Sequence, residues 1–171
     1  MSEEKAKILK IDDVLKLNLR IPDYQRPYKW TIKHVQQLLD DLLTHFRNQK
    51  QVYRIGTVVI HKDNEKKLYI VDGQQRLITL SLLLHSLGSE KNLLNQPLTH
   101  SISKNNVINN YDFIKNYSIS DKEAFKKYLL EICEMVYVEL DDLDEAFQFF
   151  DSQNSRGKPL ESYDLLKAYH L

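Results

Sequence analysis

The chain has 171 residues, 42% of them hydrophobic and 28% charged, which is length and apolar content enough for one domain with its own core. Lysine plus arginine equals aspartate plus glutamate at 24 each, so no chain-wide basic field exists to gather DNA or an anionic membrane. A single cysteine, Cys133, excludes an intrachain disulfide, the start MSEEKAKILK lacks the apolar centre of a signal peptide, and no apolar run reaches the roughly 20 residues of a membrane helix. A cytoplasmic location follows as the default.

In chain order, residues 8–21 predict a short helix around Asp12 to Leu17 and a strand at Leu19 to Ile21. Residues 21–30, IPDYQRPYKW, hold two prolines that keep the backbone extended, and their three aromatics and two cations show no apolar period. They predict an ordered loop with exposed rings. Thr31 fits the N-cap of a long helix in which Val35, Leu38, Leu39, Leu42, Leu43 and Phe46 form one apolar stripe. Tyr53 to Ile60 and Lys67 to Val71 are rich in β-branched and aromatic residues and flank a charged turn, the pattern of an antiparallel hairpin.

The densest apolar stretch follows. Leu77, Ile78, Leu80, Leu82, Leu83, Leu84 and Leu87 cover most of a helix circumference, so this helix belongs at the centre of the fold. Between it and the preceding strand stand Asp72, Gly73, Gln74, Gln75 and Arg76. A strand that runs into a helix through such a turn aims backbone N–H groups and the positive end of the helix dipole at one spot, a site for an anion. Gly88 ends the helix where a left-handed residue is common.

Ser89 to Asn106 is polar and aperiodic and predicts a surface excursion, followed by a helix over Val107 to Tyr117. Ser120 and Glu123 fit a capping box for the next helix, whose stripe is Phe125, Tyr128, Leu129 and Ile132. Met135 to Leu140 alternates like a half-buried strand. The acidic cluster Asp141, Asp142, Asp144 and Glu145 suits the start of a short helix over Ala146 to Phe150, which runs into a polar segment, Asp151 to Leu160. Ser162 to Leu171 reads as helix and stops on apolar residues without a cap, which predicts a single domain over 1–171 cut from a longer protein.

Three polar segments carry chemistry: YQRPYKW at 24–30, DGQQR at 72–76 and NSRGKPL at 154–160. Arg76 offers phosphate oxygens a planar fork of donors, against the blander use of a salt bridge to Asp72 or Asp164. Gly73 allows close approach of a ligand, or merely a tight turn. Asp72 either holds a magnesium ion or caps the helix through the Gln74 and Gln75 amides. Gln74 and Gln75 are suited to orienting a water, or to plain hydrogen bonds with ribose and backbone. In the first segment Arg26 adds a phosphate contact and Tyr24 or Tyr28 could stack on a base, whereas Trp30 is better placed packing on the Val35 helix. Asn154 can read a base or sugar edge, and Arg156 with Gly157 repeats the logic of Arg76 and Gly73, a plain turn being the alternative. Asp164 and Lys167, one turn apart, can simply pair on a helix face. The six histidines show no metal-ligand spacing, so no zinc site is expected.

Taken together, these segments resemble the N-terminal ParB/sulfiredoxin-like domain of the GmrSD type IV restriction family. Its pattern is an extended P-x-Y-Q-R-x-Y-x-W, a strand ending in D-G-Q-Q-R-L, and a late F-x-x-x-N-x-R-G-x-x-L before a D-L-L-K helix; all three occur here in order, from about Ile21 to the C-terminus. Ile78 stands where the family usually has threonine, and nothing within these 171 residues supplies the HNH-type nuclease centre into which the family domain often continues. The resemblance implies an α+β fold with a small mixed sheet flanked by helices. It implies catalytic roles at Asp72, Gln74, Gln75 and Arg76. A nucleoside triphosphate, with magnesium possible, would lie on Tyr24, Gln25, Arg26, Gly73, Asn154, Arg156, Gly157, Asp164 and Lys167. The expected partners are an HNH-type nuclease domain or subunit and, through it, modified phage DNA, with self-association open and no membrane. Two rival expectations stand beside it: a DNA-binding or DNA-cleaving ParB-like module, and a non-catalytic interaction domain with a degenerate site.

Overall fold

The computed structural model describes residues 6–22, 27–48, 52–90, 93 and 101–154, the backbone alone at 101, 102, 153 and 154. The predicted hairpin forms. Strand β2 (Tyr53–Lys62) runs antiparallel to β3 (Leu68–Asp72). Two strands from the ends of the chain complete the sheet. β4 (Cys133–Leu140) lies parallel to β2, and β1 (Ala6–Lys10) lies antiparallel to β4, giving the order β1-β4-β2-β3. The helices are α1 (Ile11–Leu15), α2 (Ile32–Arg47), α3 (Gln74–Ser86), α4 (Ser101–Lys115), α5 (Lys122–Glu131) and α6 (Leu143–Asn154). This is the expected α+β fold, a small mixed sheet flanked by helices. Among the described residues no helix is long and apolar enough to cross a membrane.

The two faces of the sheet carry separate cores. Ile55, Val58, Ile60, Ile70, Met135 and Tyr137 join the apolar stripes of α1 to α5, with α3 buried nearly all round as its composition predicts. Each fully buried leucine of α3 contributes about 1.5–3 kcal/mol over leaving it in water. The alternate residues Val59, Val71, Val138 and Leu140 face Ala146, Phe147 and Phe150 of α6.

Several expectations are corrected. β1 is a strand that composition hides: AKILK is an edge whose first three residues are exposed, and only its pairing with β4 defines it. The strand expected at Leu19 to Ile21 shrinks to one bridge, in which Arg20 donates to the Leu68 carbonyl at 2.9 Å and accepts from Ile70 at 2.9 Å. Pro22 has no N–H with which to continue the ladder. β4 is covered on both faces rather than half-buried, because α6 takes the side that the hairpin pattern left to solvent. Helix α4 starts at Ser101, inside the stretch expected to be a surface excursion. At the start of α5 the cap is Asp121, in the left-handed region at φ 57°, whose Oδ1 accepts from the Ala124 amide at 3.3 Å. The cap is therefore not the Ser120–Glu123 box. The short helix expected over Ala146 to Phe150 extends through Asn154. By contrast, Thr31 is the N-cap of α2, and Gly88 at φ 85° turns the chain after α3.

Candidate functional site

The site grows from the junction of β3 and α3. Gly73 adopts φ 100° there, and a Cβ at this position would stand 3.1 Å from the Thr57 carbonyl oxygen and 3.2 Å from Val58 Cα. Both the left-handed backbone and the contact with β2 therefore require glycine. Gly73 itself occupies the N-cap position, which was one of the two roles open to Asp72. The Asp72 Oδ1 accepts from the Gly73 amide at 2.9 Å, so the carboxylate folds over the turn. Gln74 is buried at 5% exposure.

Gln75 is committed to the neighbouring loop. Its Oε1 accepts from the amides of Lys29 at 2.8 Å and Trp30 at 3.2 Å, and its Nε2 donates to the Pro27 carbonyl at 3.2 Å. One amide side chain thus brackets residues 27–30 and seats them on the first turn of α3. This joins two of the three sequence segments.

Arg76 lies over Gly56 on β2. The register between β2 and β4 shifts between Arg54 and Gly56, and a Cβ at Gly56 would collide with the Arg76 guanidinium. The guanidinium lines a cavity of about 440 Å³, of the size that takes a small-molecule ligand. Its other walls are Trp30, Lys33, His34, Gln37, Leu38 and Asp41 at the start and along α2, with Tyr53 and Ile55 from β2. Among the described residues no carboxylate forms an ion pair with Arg76. Among the described residues the cavity therefore gathers the cations Arg76 and Lys33, with His34 beside them, and the acid Asp41.

Aromatic rings edge the same space. Trp30 stacks on His34 with centroids 5.5 Å apart, and His45 stacks on Tyr53 at 4.0 Å. Burial raises the Tyr53 phenol above its ordinary value and the Asp41 charge adds to this, while Arg76 opposes it. Tyr53 thus presents a protonated hydroxyl at neutral pH. The His34 Nδ1 accepts from the Thr31 amide at 3.1 Å, which leaves Nε2 as the protonated nitrogen of the neutral ring.

Tyr28 was expected among the exposed rings and is instead fully buried. Its hydroxyl bonds Thr79 Oγ1 at 2.7 Å and the Asn110 Nδ2 at 2.9 Å, and burial raises its pKa. A ring enclosed in this way cannot stack on a base. Trp30, expected to pack on the α2 helix, is half-buried at the edge of the main core and also lines the cavity.

Of the other expected site residues, Tyr24, Gln25, Arg26, Arg156, Gly157, Asp164 and Lys167 lie outside the described residues, and Asn154 is described by its backbone as the last residue of α6. Sequence reasoning missed Lys33, His34, Gln37, Asp41 and Tyr53. The signal was present in α2, where Lys33, Gln37 and Asp41 recur every four residues on its polar side. Among the described residues no group of three histidine, cysteine or acidic side chains could hold a metal ion.

Fold and site together define an α+β module with a cationic, aromatic-edged cavity beside a strand–turn–helix junction. A family model described as the GmrSD restriction endonuclease, N-terminal domain, matches residues 8–171, and the chain belongs to that family. No curated protein matches it.

Proposed function

We propose that this chain binds a nucleoside triphosphate at the Arg76 cavity and hydrolyses it to license a nuclease domain or partner that restricts modified DNA. The observation that carries the reading is Arg76: a guanidinium at a cavity wall, with no acid paired to it among the described residues and with Lys33 and His34 beside it. Three cationic or donor side chains around one open cavity suit the oxygens of a polyphosphate, and the guanidinium fork gives them geometry as well as charge. Trp30 and Tyr53 supply flat faces for a base. The membership in a restriction-endonuclease family supports the nuclease and DNA side of the reading.

Each residue has a role in this scheme. Arg76 and Lys33 hold phosphate and stabilise charge that develops there. The α3 N-terminus adds its dipole at the same junction. Gln75 serves as the bracket that seats residues 27–30, because its amide is already engaged by three backbone groups. Tyr24, Gln25 and Arg26, which precede that bracketed stretch in the chain, and Asn154, Arg156, Gly157, Asp164 and Lys167 are the further ligand contacts of this reading, on the strength of the family resemblance. Asp72 and Asp41 are the oxygen donors with the right chemistry for magnesium, which favours carboxylates together with phosphate oxygens. When bound, that ion would offset phosphate charge.

A thermal-shift panel of the common nucleoside triphosphates, with and without magnesium, tests the reading. A ligand at a hundredfold over its dissociation constant should stabilise the fold by about 2.7 kcal/mol. Arg76→Ala should abolish that response while leaving the apo melting temperature near wild type. An unchanged response would remove Arg76 from the site. DNA retention without nucleotide that weakens steeply with salt would favour a DNA-binding module instead.

A further inference from the structure

Helix α4 begins in a stretch, SISKNNVINN, that looks as sequence like polar filler. Its residues Ser103, Asn106 and Asn110 stand at i, i+3 and i+7, on one face of the helix. That face grips the backbone of the loop opposite. Ser103 Oγ accepts from the Tyr28 amide at 2.7 Å, and Asn106 Nδ2 donates to the Tyr28 carbonyl at 3.3 Å. Asn110 Nδ2 uses one amide nitrogen twice, donating to the Tyr28 hydroxyl at 2.9 Å and to the Trp30 carbonyl at 2.8 Å. Ser103 is 3% exposed and Asn110 is 1% exposed, so losing these bonds leaves bare polar groups away from water.

The loop is therefore held from two sides. Gln75 on α3 takes the amides of Lys29 and Trp30, while Asn110 on α4 takes the Trp30 carbonyl. Trp30 has both its backbone groups fixed, one by each helix, and its ring lines the Arg76 cavity. Residues 27–30 belong to no strand or helix, so these side-chain bonds hold the segment in place.

We propose that Asn110 is a positioning residue for the nucleotide site, fixing Trp30 at the cavity through the Trp30 carbonyl and acting as the counterpart of Gln75. The proposal rests on the nucleotide reading above. It also extends the site to a helix that none of the three polar sequence segments contains.

Trp30 is the only tryptophan in the chain, so its emission reports its surroundings directly. Asn110→Asp keeps the shape but loses both donors and sets a carboxylate against a carbonyl. Thr79→Val is the control: it removes one partner of the Tyr28 hydroxyl yet leaves the Asn110–Trp30 bond intact. In the full chain, Asn110→Asp should move Trp30 emission to longer wavelength and weaken binding of the best-bound of ATP, GTP, CTP and UTP by about tenfold, the equivalent of one or two lost buried hydrogen bonds. Thr79→Val should lower the melting temperature with neither effect. Should Asn110→Asp fail to fold by circular dichroism, Asn110→Ser, whose single short hydroxyl reaches only one partner, takes its place with the same expectations. A folded Asn110 variant with wild-type emission and affinity overturns the proposal, and so does a Thr79→Val that shifts both readouts equally. If wild type binds none of the four nucleotides, the nucleotide reading falls, while the emission comparison still decides whether Asn110 positions Trp30.

Discussion

Gly56 and Gly73 both carry positive φ, 153° and 100°, yet an added Cβ would meet different things. At Gly73 it meets the backbone of Thr57 and Val58, which cannot give way; at Gly56 it meets the flexible end of Arg76. A residue other than glycine held in such a conformation costs about 1–3 kcal/mol. Gly73→Ala and Gly56→Ala should therefore each lower stability by about that amount in urea unfolding. Because Gly56→Ala also drives the guanidinium off its seat, it should blunt the nucleotide-dependent rise in melting temperature more than Gly73→Ala does. Equal responses to nucleotide in the two variants would contradict the seating of Arg76 over Gly56.

At the scale of elements, β4 does the most joining. It pairs with β1 on one side and β2 on the other, and its alternate residues enter the two cores. Glu134 near its start ties the three strands, taking Arg54 of β2 at 2.9 Å and Lys10 of β1 at 3.4 Å. The hydrogen bond from Arg54 holds its carboxyl below the usual glutamate value, with Lys10 adding to this and burial opposing it. A pKa depressed by folding contributes stability that is present above the unfolded value, near about 4.3, and is lost as pH falls through the lower folded value. Wild type should thus lose more stability than Glu134→Gln between neutral pH and about pH 3. Urea midpoints at the two pH values measure the difference, and parallel losses would show that Glu134 contributes no acid sensitivity.

For the molecule as a whole, one sheet with a core on each face encloses the lone cysteine. Cys133 is fully buried in the larger core, and burial pushes its thiol up to about 12. Thiolate is the reactive form, so the native chain offers almost none at neutral pH and none that a reagent can reach. Ellman's reagent should label Cys133 at the rate of unfolding rather than at the rate of a free thiol. A fast native reaction would mean that the α5–β4 region opens far more readily than the rest of the core. The same enclosure has a consequence for the site: Arg76 sits where α2, β2 and α3 meet, so its cavity depends on the sheet being closed beneath it.

The sequence by itself determined what is encoded within a single window of the chain. The α2 stripe, the β2–β3 hairpin, the buried α3 and the turn at Gly73 all follow from periodicity and turn chemistry among near neighbours, and the Asp72 to Arg76 stretch marked its own importance. Only the tertiary structure decided what depends on distant partners. It made AKILK a strand by pairing it with β4, put α6 over the second face of the sheet, and took Tyr28 into the core. It also turned an asparagine-rich stretch into the clamp of Trp30, through a bond between residues 80 apart in the chain. Polar residues that bury themselves by hydrogen bonding leave no apolar period, which is why the first turns of α4 were hidden. The turn that presents Arg76 is written locally in the sequence, whereas the cavity it faces exists only where α2, β2 and α3 converge.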